Sequence, residues 1–133
     1  MRPRVSAGAS FAEIMRAMAA ALIEAIPARA RVGAGRLRGL AYALGSDALM
    51  ANAAGIAAAR YAAAVRWWRE RFPDETQLPM PAEQLVWVLA ALTEGLTYQR
   101  LLTPELIPDA VIHAAFSALA SASPAAAAGA KPP

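Results

Sequence analysis

Catalysis would require a nucleophile held against a base, a pair of carboxylates or a metal cluster, and few residues of this chain qualify by type. There is one histidine, His113, and one pair of neighbouring carboxylates, Asp74 and Glu75. His113 falls four residues after Asp109 and three before Phe116, a spacing that suits a packing or interface position on a helix better than a proton-transfer role. Asp74 and Glu75 lie beside Arg71 in a proline-marked stretch, where carboxylates are ordinarily solvated. Cysteine is absent, which excludes disulfides, thiolate metal sites and cysteine nucleophiles. A lone histidine excludes a His-rich metal site. The expectation is a protein that is not an enzyme and has no cofactor and no metal.

Ligand binding is the better supported chemistry. Met50, Tyr61, Trp67 and Trp68 recur at helical spacing in one stretch, and Trp87 and Tyr98 in the next. Methionine and aromatic side chains line apolar pockets, where an indole N–H or a phenol O–H orients a ligand. The same stripes serve equally as core or interface. Arg60 falls inside the first stripe. A guanidinium there must be paired, reach water along its stem, or await an anion. Glu24 or Glu94 is the expected partner, and a structural salt bridge is favoured over an anionic ligand. The candidate ligand set is Met50, Arg60, Tyr61, Trp67, Trp68 and Trp87.

The elements that position these residues read as helices throughout. Ser10 followed by Glu13 has the capping-box spacing, and Phe11, Ile14, Met15, Met18, Leu22 and Ile26 then recur at steps of three and four. Pro27 predicts the end of that helix. From Arg29 to Gly39 the glycine- and arginine-rich sequence reads as a loop, leading into a short helix through Leu37, Leu40, Ala41 and Leu44. Gly33 and Gly35 do not make a phosphate loop, because no strand precedes them and no Gly-Lys-Ser/Thr follows. Ser46 caps a long helix to Arg71, with Asp47 at the positive end of its dipole. Its apolar stripe is Leu49, Met50, Ala53, Ile56, Ala57, Tyr61, Ala64, Trp67 and Trp68. Phe72 and Pro73 close it, and a proline-marked loop runs to Pro81.

Two further helices follow. Pro81 suits the first position of one, the prolines of TPELIP stop it near Leu102, and Asp109 behind Pro108 starts the other. On the first, Leu85, Val88, Leu89, Leu92 and Leu96 gather on one side for a core. Ala91, Gly95 and Leu102, flanked by Trp87 and Tyr98, form a second strip. The small pair Ala91 and Gly95 permits close approach by another helix, which would offset the cost of a mid-helix glycine.

The run LTEGLTYQRLLTPELIPDAVIHAAFSAL, from Leu92 to Leu119, resembles the C-terminal end of TetR-type (TetR/AcrR) transcriptional regulators. The match is carried by Glu94, Gly95, Leu96, Gln99, Arg100, Leu101, Leu102, Thr103, Pro104 and Glu105, and it extends back to Ser46. The resemblance implies a ligand-binding and dimerisation domain in which the last two helices form half of a four-helix bundle. Ala91, Gly95, Tyr98 and Leu102, with Ala110, Ala114 and Ser117, would then face a twin or a related regulator. The implied effector is a small, apolar molecule. In that family an N-terminal helix-turn-helix reads DNA; nothing in residues 1–133 matches one, so the expectation is a truncated gene or a headless relative that contacts DNA only through a domain it lacks.

Composition agrees with this outline. At 133 residues the chain fits one domain, and much of its 58% hydrophobic content is alanine, the best helix former. The expected fold is all-α, a bundle of about five helices over residues 10–120, with a disordered leader at 1–9 and a disordered Ala/Pro tail at 121–133. The net charge of +3 comes from arginines scattered along the chain, not from a cluster such as a DNA-reading helix requires. The longest apolar runs end in charge well short of the 18 or so residues a membrane span needs. A soluble, cytoplasmic protein with no membrane association is expected.

Overall fold

The computed structural model describes residues 5–123, so the expectations for residues 1–4 and 124–133 fall outside the described residues. Over these residues the fold is all-α, with four α-helices and one short 3-10 turn: α1 Phe11–Ala43, α2 Asp47–Arg71, the turn Glu75–Gln77, α3 Ala82–Leu102 and α4 Asp109–Ser121. Their starts follow from local chemistry. The Ser10 hydroxyl accepts from the Glu13 N–H at 3.3 Å while the Glu13 carboxylate accepts from the Ser10 N–H at 2.7 Å, closing the capping box. At Ser46 the hydroxyl accepts from the Leu49 N–H. Before the first helix, Ala9 is buried and Val5 packs on the core, so residues 5–9, expected as a disordered leader, lie against the bundle. Past α4, the Ser123 hydroxyl is buried and donates to the Gln77 carbonyl at 2.7 Å.

Pro27 does not end α1. The helix continues through it to Ala43, replacing both the expected loop at 29–39 and the short helix after it. A mid-helix proline removes one hydrogen bond and costs about 3 kcal/mol, and contacts on both sides of it offset that. Ile26 is buried, the Arg29 guanidinium donates to the Thr97 hydroxyl at 3.3 Å, and a Cβ at Gly33 would sit 3.9 Å from Leu101 Cδ1. The second half of α1 is thus docked along α3 before its own sequence pattern resumes.

The core lies around the first half of α1. Ile14, Met15 and Leu22 of α1, Leu85 of α3, and Ile112 and Phe116 of α4 have no exposed surface. Phe11, Trp68 and Phe72 form an aromatic cluster with ring centroids 5.6 to 6.3 Å apart. α4 packs chiefly on α1, and α2 chiefly on α3.

Lengths explain what stays uncovered. At about 1.5 Å per residue, α1 extends roughly 50 Å and α2 roughly 38 Å, against roughly 32 Å for α3 and 20 Å for α4. The far half of the α1–α2 hairpin therefore outruns its neighbours, leaving Val32, Leu40, Tyr42, Leu44, Leu49 and Ile56 exposed. This corrects the apolar stripe read for α2: Leu49, Ala53 and Ile56 face outward, and the burial begins at Tyr61. It also corrects the hydropathy estimate. Among the described residues one helix, α2, is long and apolar enough to cross a membrane, with a mean hydropathy of 1.3 over an 18-residue stretch of which none is buried. Alanines carry that stretch past Asn52 and Arg60.

Candidate functional site

Between the last turns of α2 and the start of α3, the carboxylates read as solvated are structural caps. Glu75 accepts from the Arg69 guanidinium at 2.9 Å and from the Ala82 N–H at 3.1 Å, and so serves as the side-chain cap that Pro81 cannot supply to α3. Arg69 also pairs with Glu83, which ties the end of α2 to the start of α3. Asp74 accepts from the Thr76 hydroxyl at 2.6 Å and the Thr76 N–H at 3.0 Å. The Ala82 N–H, then Arg69, holds the Glu75 carboxyl below the usual range; the Thr76 hydroxyl and then its N–H do the same for Asp74. At α1, the backbone N–H and then the hydroxyl of Ser10 lower Glu13.

A pH prediction follows with a definite sign. A carboxylate whose folded pKa lies below its unfolded value stabilises the fold at pH above about 4.3, and loses that contribution as pH falls through the folded value. The melting temperature of the chain should therefore be level from neutral pH down to about 5 and fall below about pH 4. Glu75→Gln should shallow that acid slope. An acid limb of equal steepness in wild type and variant would remove Glu75 from the account.

A cleft of about 360 Å³ opens where α1, α2 and α3 meet. Its apolar surface comes from Met18, Ala64, Trp68, Val86 and Leu89, and its polar surface from Arg29, Arg60, Tyr61, Thr93 and Glu94. The volume lies at the small end of ligand pockets, about 300–1,000 Å³. A second, narrow recess beside Arg29, Glu94, Thr97 and Tyr98 adjoins the cleft at its Arg29 and Glu94 end.

Of the six residues expected to bind a ligand, Arg60, Tyr61 and Trp68 line this cleft. Met50 lies ten residues before Arg60 on α2, roughly 15 Å further along the helix. Trp67 packs against the core rather than lining the cleft, edge-on to Trp68 at 4.9 Å, with the Arg71 guanidinium 5.5 Å over its ring. That cation–π contact is the one partner found for Arg71 nitrogens that have no hydrogen bond among the described residues. Trp87 is 58% exposed and packs on Tyr61 with the rings tilted by 41° and their centroids 4.2 Å apart. The expected Glu24 or Glu94 salt bridge to Arg60 is not formed: among the described residues Arg60 makes no ion pair.

Sequence reasoning missed Met18 and Arg29. With α1 unbroken, Met18, Leu22, Ala25 and Arg29 step by four, three and four residues along one face. Reading Pro27 as a stop removed Arg29 from that face.

No family model, curated protein or solved structure matches this chain.

The residues expected at a dimer interface are on the outside of the bundle. Ala91, Gly95 and Leu102 of α3 and Ala110, Ala114 and Ser117 of α4 are exposed, and Tyr98 is half-buried. A Cβ built on Gly95 meets no atom within 4 Å. The turn between the two helices is fixed by Arg100, which donates to the Ile107 carbonyl at 2.6 Å and pairs with Asp109 at 2.8 Å. His113 is exposed on the same side of α4. Among the described residues no three His, Asp or Glu side chains gather as a metal site.

Proposed function

We propose that this chain is the effector-binding and dimerisation domain of a TetR-type regulator, taking a small, apolar molecule in the α1–α2–α3 cleft and pairing with a second copy or a related regulator through α3 and α4. The observation that carries the proposal is the division of α3 into three faces. Val86, Leu89, Ala90, Thr93 and Glu94 turn to the cleft, and Leu85, Leu92 and Leu96 to the core. Val88, Ala91, Gly95 and Leu102 point outward on a strip roughly 160° from the cleft-facing one. A helix with a ligand on one side and a partner on the other couples the two sites if the ligand binds two positions of that helix unequally. Such a device involves no covalent chemistry, and the carboxylates of the loop before α3 are already occupied as caps. DNA reading is not assigned to residues 1–133.

The competing proposal is a helical scaffold whose aromatics only pack. Sedimentation of the wild-type chain at micromolar concentration, together with tryptophan fluorescence during a screen of small apolar molecules, separates the two. A dimer whose emission shifts on ligand addition is expected. A monomer with an unresponsive spectrum would leave the scaffold.

A further inference from the structure

The cleft is sorted by polarity along its length. Phe11 packs on Trp68, Arg69 pairs with Glu83, and Arg29 reaches Thr97. α1 and α3 therefore run side by side in one direction, with α2 running against them. Met18, Trp68 and Val86 share one end, and Arg29, Arg60 and Glu94 share the other. Arg60 is eight residues from Trp68 and Glu94 eight from Val86, roughly 12 Å from the apolar end to the polar one.

At the polar end most hydrogen-bonding capacity is already used. The Thr93 hydroxyl donates within its own helix, to the carbonyls of Leu89 and Ala90, and Arg29 donates to Thr97. Arg60 has neither an ion pair nor a hydrogen bond among the described residues. Two guanidinium groups, those of Arg29 and Arg60, stand at that end of the cleft. We propose that the ligand of this cleft is an amphipathic carboxylate, its hydrocarbon body between Met18, Trp68 and Leu89 and its acid headgroup on Arg60, with Arg29 beside it. The proposal rests on reading the cleft as the effector site.

The chemistry favours this class over its neighbours. A planar guanidinium accepts a carboxylate through two parallel N–H···O bonds, which are stronger than neutral ones. A hydrocarbon chain gains by leaving water for the Trp68 end. An amphiphilic cation would meet the two arginines. An uncharged alcohol of the same length keeps the apolar gain and loses the charge-assisted bonds.

Decanoate, decan-1-ol and decyltrimethylammonium, titrated calorimetrically into the full chain with tryptophan emission followed in parallel, test the assignment. Decanoate should bind roughly tenfold or more tighter than decanol, with the ammonium weakest. Arg60→Met should abolish the decanoate advantage, bringing decanoate to about the affinity of decanol, and Arg60→Lys should retain part of it. Equal affinity for decanol and decanoate, or a preference that survives Arg60→Met, would overturn the headgroup assignment and leave an apolar effector site standing. Failure of decanoate and decanol alike to bind would remove the effector site together with its headgroup. An Arg60→Met chain melting well below wild type would make Arg60 structural and overturn the assignment by that route.

Discussion

Phe116→Ala is expected to cost the fold about 3–5 kcal/mol, the range for emptying a fully enclosed aromatic site. Phe116 has no exposed surface and is the largest such side chain among the described residues. It also belongs to a helix of only 13 residues, too short to persist in water without tertiary contacts. α4 is held chiefly by packing on α1, where Ile112 and Phe116 supply its buried side chains. Removing one of two anchors therefore loosens the whole element as well as creating a cavity. A domain of this size has a total stability of about 5–15 kcal/mol, so the variant should lose a large share of it in urea denaturation followed by circular dichroism. Trp87→Ala is the contrast, because a side chain 58% exposed and resting on Tyr61 has less to lose. Equal denaturation midpoints for the two variants would show that the core is not centred where Phe116 sits.

The elements that sequence reasoning placed correctly are those whose signals are local. Ser10 with Glu13, Ser46 with Asp47, and the prolines around TPELIP act on their immediate neighbours, and α2, α3 and α4 begin and end where those residues direct. Pro27 is a local signal too, but the outcome there is decided by contacts 68 residues away, between Arg29 and Thr97. No pattern within residues 20–40 carries that information. Burial along α2 shows the same limit. A periodic stripe says which side of a helix is apolar, and not how far along its length a neighbour extends to cover it, so Leu49 and Ile56 were assigned to a core that stops near Tyr61.

The candidate site was legible in part for a related reason. Arg60, Tyr61 and Trp68 stand on a single helix and are fixed by its periodicity, while the opposing wall comes from Met18 and Arg29 beyond a misread proline. Glu75 is the clearest loss. Its role as the cap of α3 depends on a loop folding back over seven residues to the Ala82 N–H, a contact that no local spacing encodes.

Gly95→Leu should convert a dimer to a monomer without weakening the monomer, and the two effects are expected to have opposite signs. In the isolated chain Gly95 is exposed and a Cβ there meets nothing within 4 Å, so leucine finds open space. Replacing a mid-helix glycine by a strong helix former should favour α3 by roughly 0.5–1 kcal/mol. In a symmetric pair the same position occurs twice, and close approach of two α3 helices over Ala91 and Gly95 leaves no room for two extra isobutyl groups. Overpacking of about 1–3 kcal/mol at each copy raises the dimer dissociation constant by roughly thirtyfold or more. Sedimentation velocity at micromolar concentration should show the shift, and thermal melting monitored at low concentration, where the wild type is also dissociated, should show an equal or higher midpoint. If Gly95→Leu stays dimeric, pairing runs through another surface, of which the uncovered far half of the α1–α2 hairpin is the apolar candidate. If instead it melts early, Gly95 has a contact within the chain that an open Cβ position does not predict. Only the combination of lost pairing and retained stability assigns the outward strip of α3 to a partner, because a packing defect cannot produce both.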